Sequence, residues 1–221
     1  MKYSKMILIC GVFFSATLGG LTPSVSSLAG VPLEMTQEEV TAVLKTKVRG
    51  ASPEQIERLS ARIYTLCGSH HFSPAYVLSL IQAESRFKID ARSHRGAIGL
   101  MQLMPSTAAY IAERSEIDSY RKANDLRDPV INVTVGIHYL SYLRERFGKS
   151  NLTLAAYNLG PNKLRRLESK RALKIPGVKR YVSAIHNGVA TMRQEGQKLA
   201  APQGPEVIGS IEHLAISAAL L

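Results

Sequence analysis

Apolar residues recur along most of this chain at intervals of three and four, the spacing of a buried helical face. Ile56, Leu59, Ile63 and Leu66 make one such stripe in "SPEQIERLSARIYTLC". Ser52 stands at its N-cap, Pro53 at the first helical position and Gln55 three residues after the cap. "SPAYVLSLIQAESRF" repeats the device with Ser73 and Pro74, and its helix is expected to end near Arg86. Ser106 is expected to cap "TAAYIAERS". Asp128-Pro129 opens a long pattern through Ile131, Val135, Tyr139, Tyr142 or Leu143, and Phe147, with Gly148 at the C′ position. "NLTLAAYNLG" predicts a short helix closed by Gly160-Pro161, and "GPNKLRRLES" the start of another. After Pro176, Val178, Val182, Ile185 and Val189 form a last stripe. Strand alternation is missing throughout, so the class is all-α, with at most a small hairpin near residues 92 to 104.

One position breaks the pattern. Val77, Leu80 and Ile81 share a stripe, and Glu84 takes the next place on it, while Ser79, Gln82 and Arg86 fall on the opposite side. Periodicity alone leaves two readings open. Either the helix end is already at the surface and Glu84 reaches water, or its carboxyl sits in a half-buried cleft. A cleft disfavours the charged form and keeps the acid protonated near neutral pH, as a general acid acting on a glycosidic oxygen requires.

The ends of the chain differ from its middle. Lys2 and Lys5 precede the apolar run "MILICGVFFSATLGGL", and Ser27 and Ala29 give an A-x-A-like site. Residues 1–29 are therefore read as a secretory signal cut after Ala29; the alternative is an uncleaved membrane anchor. Residues 30–51 are expected to be a connector holding one short amphipathic segment that Thr36 could cap. The domain is expected to span 52–195, and 196–221 to be a linker with an apolar tail.

Composition narrows the chemistry. The 221 residues are 45% hydrophobic and 20% charged, enough for a core. Net charge is +11, and loss of Lys2 and Lys5 takes it to +9. Such a balance suits an anionic partner; export turns that expectation toward the cell envelope, and no aromatic-interleaved basic stripe points to nucleic acid. Cys67 would be alone after signal removal and is expected to be a small buried hydrophobe. His70-His71 is an isolated pair in a turn, no metal-ligand spacing occurs, and no phosphate loop is present, so neither metal nor other cofactor is expected.

Four blocks then occur in a telling order: "AESRF", "GAIGLMQLMPSTA" with Ser93 shortly before it, "AAYNLGP" and "RYV". Together they resemble the soluble lytic transglycosylase family, bacterial wall enzymes with a lysozyme-like, goose-type fold. The resemblance covers about residues 55 to 195. It implies that Glu84 is the catalytic acid and that Tyr181 lies close to its carboxyl. It further implies that Ser93, Gln102, Met104, Tyr157 and Asn158 line a glycan groove. Leu159 stands where the family usually has Ala. The implied substrate is peptidoglycan, cut between N-acetylmuramic acid and N-acetylglucosamine to leave a 1,6-anhydro sugar, in the periplasm or envelope. Two alternatives remain: a goose-type muramidase that uses water, and a non-catalytic wall-binding part of a secretion apparatus. A secretion or conjugation machine is an open partner in either case.

Overall fold

The computed structural model describes residues 34–167 and 169–201, and proline sets most of its helix starts. Pro53, Pro74, Pro105, Pro129, Pro161 and Pro176 each open a helix, where a missing N–H costs nothing and φ is already helical. These helices are α2 (Pro53–Ser69), α3 (Pro74–Ser85), α4 (Pro105–Arg114), α5 (Pro129–Phe147), α7 (Pro161–Arg166) and α9 (Pro176–Ala200). α1 (Gln37–Lys47), α6 (Ser150–Leu159) and α8 (Ser169–Lys174) complete the set. A short 3-10 turn, Ala123–Arg127, leads into α5. No strand occurs among the described residues. The only extended pairing there is two isolated antiparallel bridges, Arg92–Ile98 and Ile98–Leu103, where the small hairpin was expected. The expected signal and most of the tail lie outside the described residues.

α5 runs through the centre, with Val133, Val135, Ile137, Leu140 and Leu143 at 0% exposure. α3 is buried on both sides, which the single-stripe reading did not foresee. Ser79, expected opposite the stripe, is 3% exposed beneath α9. Its hydroxyl donates to the Ile185 carbonyl at 2.7 Å. Gly188 makes that approach possible, because a Cβ there would fall 2.2 Å from the Ser79 Oγ.

The first described helix also differs from expectation. α1, placed in a connector, packs against α2 and α9 with Val40, Val43 and Leu44 fully buried. Burial of each such side chain contributes roughly 1.5–3 kcal/mol. Thr36 caps it in a reciprocal box with Glu39, at 3.2 and 3.0 Å. The amphipathic segment and its Thr36 cap were legible in the sequence, but its docking against α2 and α9 was not. At the other end α9 continues through Ala200, past the expected boundary at 195, with Lys47 paired to Glu195 at 2.9 Å. Two caps differ as well. Met104, not Ser106, is the N-cap of α4, since Pro105 takes the first helical position. Ser73 makes no capping bond and donates to Glu34 instead, at 3.1 Å. Cys67 is a buried hydrophobe in α2, and burial pushes its thiol up to about 12.

Candidate active site

Glu84 lies one residue before the end of α3. The helix stops because Arg86 and Phe87 both turn left-handed, with φ of 53° and 62°. Phe87 then plunges into the core at 1% exposure, which anchors the turn. Ser85 bonds back to the Ile81 carbonyl at 3.2 Å. The turn leaves Glu84 half-buried on the wall of a groove of about 430 Å³. Burial pushes its carboxyl up from the ordinary 4.5 to about 7, with a hydrogen bond from Tyr181 pulling the other way. That bond crosses 97 positions of sequence: the Tyr181 hydroxyl, on the first turns of α9, donates to Glu84 Oε1 at 2.5 Å. Burial and the adjacent Glu84 keep the Tyr181 phenol well above its usual range, so it stays a donor.

Ser93, Gln102, Met104, Tyr157 and Asn158 line the same groove as Glu84. Their hydrogen bonds sort them. Ser93 Oγ accepts from the Ala97 N–H at 3.0 Å, which leaves its own hydrogen to donate. Gln102, expected to line the groove, does not turn its whole amide toward it. Instead its Nε2 donates to the carbonyls of Ala91 and Gly99, at 3.1 and 2.9 Å, and its backbone is left-handed at φ 47°. Its donors hold the loop, and its carbonyl oxygen remains for the groove. Tyr157 likewise spends its hydroxyl on the Met101 carbonyl at 2.7 Å, and its ring packs 5.1 Å from Tyr139. Met104 presents an apolar surface, 39% exposed.

The sequence reading missed the residue that holds the loop in place. Asn132, in α5, is 0% exposed. Its Nδ2 donates to the Ile98 and Leu126 carbonyls, both at 2.9 Å, and its Oδ1 accepts from the Met101 N–H at 2.8 Å. Gly99, at φ 78°, sits so close that a Cβ would lie 2.2 Å from Asn132 Nδ2. The available signal was an amide inside the apolar run "PVINVTVGI". Tyr139 and Arg95 also line the groove. Tyr139 had been read only as part of a core stripe. Among the described residues, no three His, Cys, Asp or Glu side chains group as a metal site would require.

The site therefore combines a single carboxyl, protonated to about pH 7, with a phenol against it and a sugar-sized polar groove beside it. Residues 68–175 match the family described as Transglycosylase SLT domain. The soluble lytic murein transglycosylase of Salmonella typhimurium is 35% identical over 107 residues, 48% of this chain and 17% of that protein. The membrane-bound lytic murein transglycosylase C of Histophilus somni is 29% identical over 152 residues, 64% of this chain and 42% of that one. Among solved structures, an inactive mutant of the lytic transglycosylase Slt from Pseudomonas aeruginosa superimposes with a TM-score of 0.56. It shares 30% identity over 65% of this chain and 24% of its own. The fold is accordingly the all-α, lysozyme-like one. The chain spans 17% of the length of the Salmonella relative and 42% of the Histophilus one.

Proposed function

We propose that the protein is an exported lytic transglycosylase that cleaves peptidoglycan between N-acetylmuramic acid and N-acetylglucosamine. The observation that carries this is Glu84: a groove carboxyl raised to about 7 and held by the Tyr181 hydroxyl. A glycosidase of the usual kind needs two carboxylates. The residues lining this groove include no carboxylate besides Glu84. Asp90, the next acid along the chain, is exposed and outside that lining.

One carboxyl suffices if the substrate supplies the rest. Glu84 gives its proton to the oxygen between the two sugars, and that bond to C1 breaks. The muramic acid's own N-acetyl oxygen stabilises the positive charge left at C1. The C6 hydroxyl of the same sugar then closes on C1, and its proton goes to the Glu84 carboxylate. The acid is regenerated, no water is consumed, and the product is a 1,6-anhydro sugar. Tyr181 fixes the carboxyl for both transfers. Ser93, the Gln102 carbonyl and Asn158 offer polar contacts for sugar hydroxyls and the N-acetyl group, and Met104 offers an apolar face. Peptidoglycan strands are the partner, and the envelope is the site of action. The signal-like residues 1–29 and the relatives' names support that location.

The test is product analysis of purified wall digested by the protein, with Glu84→Gln alongside. Anhydro muropeptides, absent from the variant's digest, are the expected result. Products heavier by one water would make it a muramidase on the same fold. No release by the parent protein would leave a binding component only. General acid help is worth roughly 10²–10⁴-fold, so the variant should lose activity on that scale.

A further inference from the structure

Among the residues lining the groove only two can carry charge, Glu84 and Arg95. With its carboxyl raised to about 7, Glu84 contributes little negative potential below neutral pH. Arg95 is always charged. It is exposed on the groove wall, close in sequence to Ser93. Among the described residues three ion pairs form, and none involves Arg95. No protein acceptor there takes a hydrogen bond from its guanidinium either, whereas Arg144 spends its own on the His70 and His71 carbonyls. Arg95 is thus an exposed cation on the groove wall with no internal partner among the described residues.

The helix that begins at the groove's edge carries the same sign. Pro161 lines the groove and opens α7, where Lys163, Arg165 and Arg166 are all exposed. From 161 to 180 the chain carries eight Lys and Arg against one acid, Glu168. An excess of one sign of charge near a cleft raises the local concentration of the opposite sign there.

Resting on the function proposed above, we propose that this groove selects glycan strands by their carboxylates, with Arg95 as the residue that reads them. The guanidinium suits a carboxylate in geometry as well as charge, since it offers paired N–H donors. Two carboxylates are within the chemistry of the substrate: those on the peptide borne by muramic acid, and the lactyl carboxylate exposed when that peptide is removed. A neutral amino-sugar polymer offers neither.

The experiment compares Arg95→Gln and Arg95→Lys with the parent on three substrates. These are strands bearing their peptides, strands stripped by an amidase, and strands whose carboxylates have been converted to neutral amides. Binding is also measured in a Glu84→Gln background, free of turnover. Arg95→Gln should raise KM and Kd roughly 3–10-fold on carboxylate-bearing strands, a charge-assisted contact trimmed by exposure, with kcat changing less. Arg95→Lys should recover part of the loss. The gap should shrink at high salt and on neutralised strands. Loss on peptide-bearing strands alone assigns the peptide carboxylates; loss on stripped strands too assigns the lactyl group. An unchanged KM, or an equal loss on neutralised strands, overturns the inference. An inactive Glu84→Gln alongside an unchanged Arg95→Gln would overturn this inference alone. An active Glu84→Gln would remove the function reading first.

Discussion

Replacing Glu84 by Gln should make the protein more stable, and only above a particular pH. A carboxyl raised from 4.5 in the unfolded chain to about 7 in the native one binds its proton more tightly when folded. Below pH 4.5 it is protonated in both states and favours neither. Between 4.5 and about 7 the unfolded chain ionises while the native one resists, so stability falls with pH through that window. Above about 7 the loss is complete. At about 1.4 kcal/mol per pH unit, with some discount for access to water at the groove, it amounts to about 2–3 kcal/mol. Gln keeps the volume and can still accept from the Tyr181 hydroxyl, and it does not titrate. The other carboxylates titrate alike in both proteins and cancel in the comparison.

Urea unfolding of both proteins across pH 4 to 9 measures this directly. The stability difference should be near its low-pH value up to about pH 4.5, grow through the window, and level at about 2–3 kcal/mol in favour of Gln above it. For a chain of this size that corresponds to about 2–4 °C in Tm per kcal/mol. A difference independent of pH would mean that Glu84 is not desolvated in the native state. Glu84 would then be ionised at neutral pH and unable to serve as a general acid there.

Two further changes test the surroundings. Tyr181→Phe removes the one hydrogen bond that lowers the Glu84 carboxyl, so the upper limb of the pH–rate profile should move to higher pH while kcat drops on the order of 10–100-fold; an unmoved limb counts against the contact. Gly99→Ala would place a Cβ 2.2 Å from Asn132 Nδ2 and 2.7 Å from the Leu126 carbonyl at φ 78°. It should cost about 2–5 kcal/mol in denaturant unfolding, and a change under about 0.5 kcal/mol would show that the loop is looser than its hydrogen bonds imply.

What was legible in the sequence was whatever depends on spacing within one element. Helix starts were marked by Ser52-Pro53, Ser73-Pro74 and Asp128-Pro129, and Glu84 stood out by its place on an apolar stripe. The pairing of Glu84 with Tyr181 came from resemblance, because no local pattern joins residues 97 apart. Asn132 was illegible for a different reason. Its value lies in three backbone groups of other segments, and a lone Asn in a helix gives no hint of which carbonyls it will meet. Gln102 was legible as a groove residue, but the direction of its amide was not, because that depends on where the Ala91 and Gly99 carbonyls point.

Helix α1 shows why function in this fold reaches beyond the motif-bearing segment. Tyr181 meets Glu84 only if α9 lies at one rotation and one height on α3. A helix turned by a single residue moves a side chain about 100°, far more than a hydrogen bond tolerates. Two glycines set that register. Gly188 admits Ser79, whose hydroxyl bonds to Ile185 one turn earlier on α9. Gly196 admits Met35, since a Cβ there would lie 2.5 Å from the Met35 Cε and 3.2 Å from the Glu39 Cβ. The second contact belongs to α1 and the residues just before it, a stretch outside both the family match at 68–175 and the expected domain at 52–195. α1 buries Val40, Val43 and Leu44 against the body of the protein and grips the far end of α9. The phenol that steadies Glu84 is therefore held from both ends of its helix: by α3, where the motif lies, and by α1, where the sequence shows no motif at all.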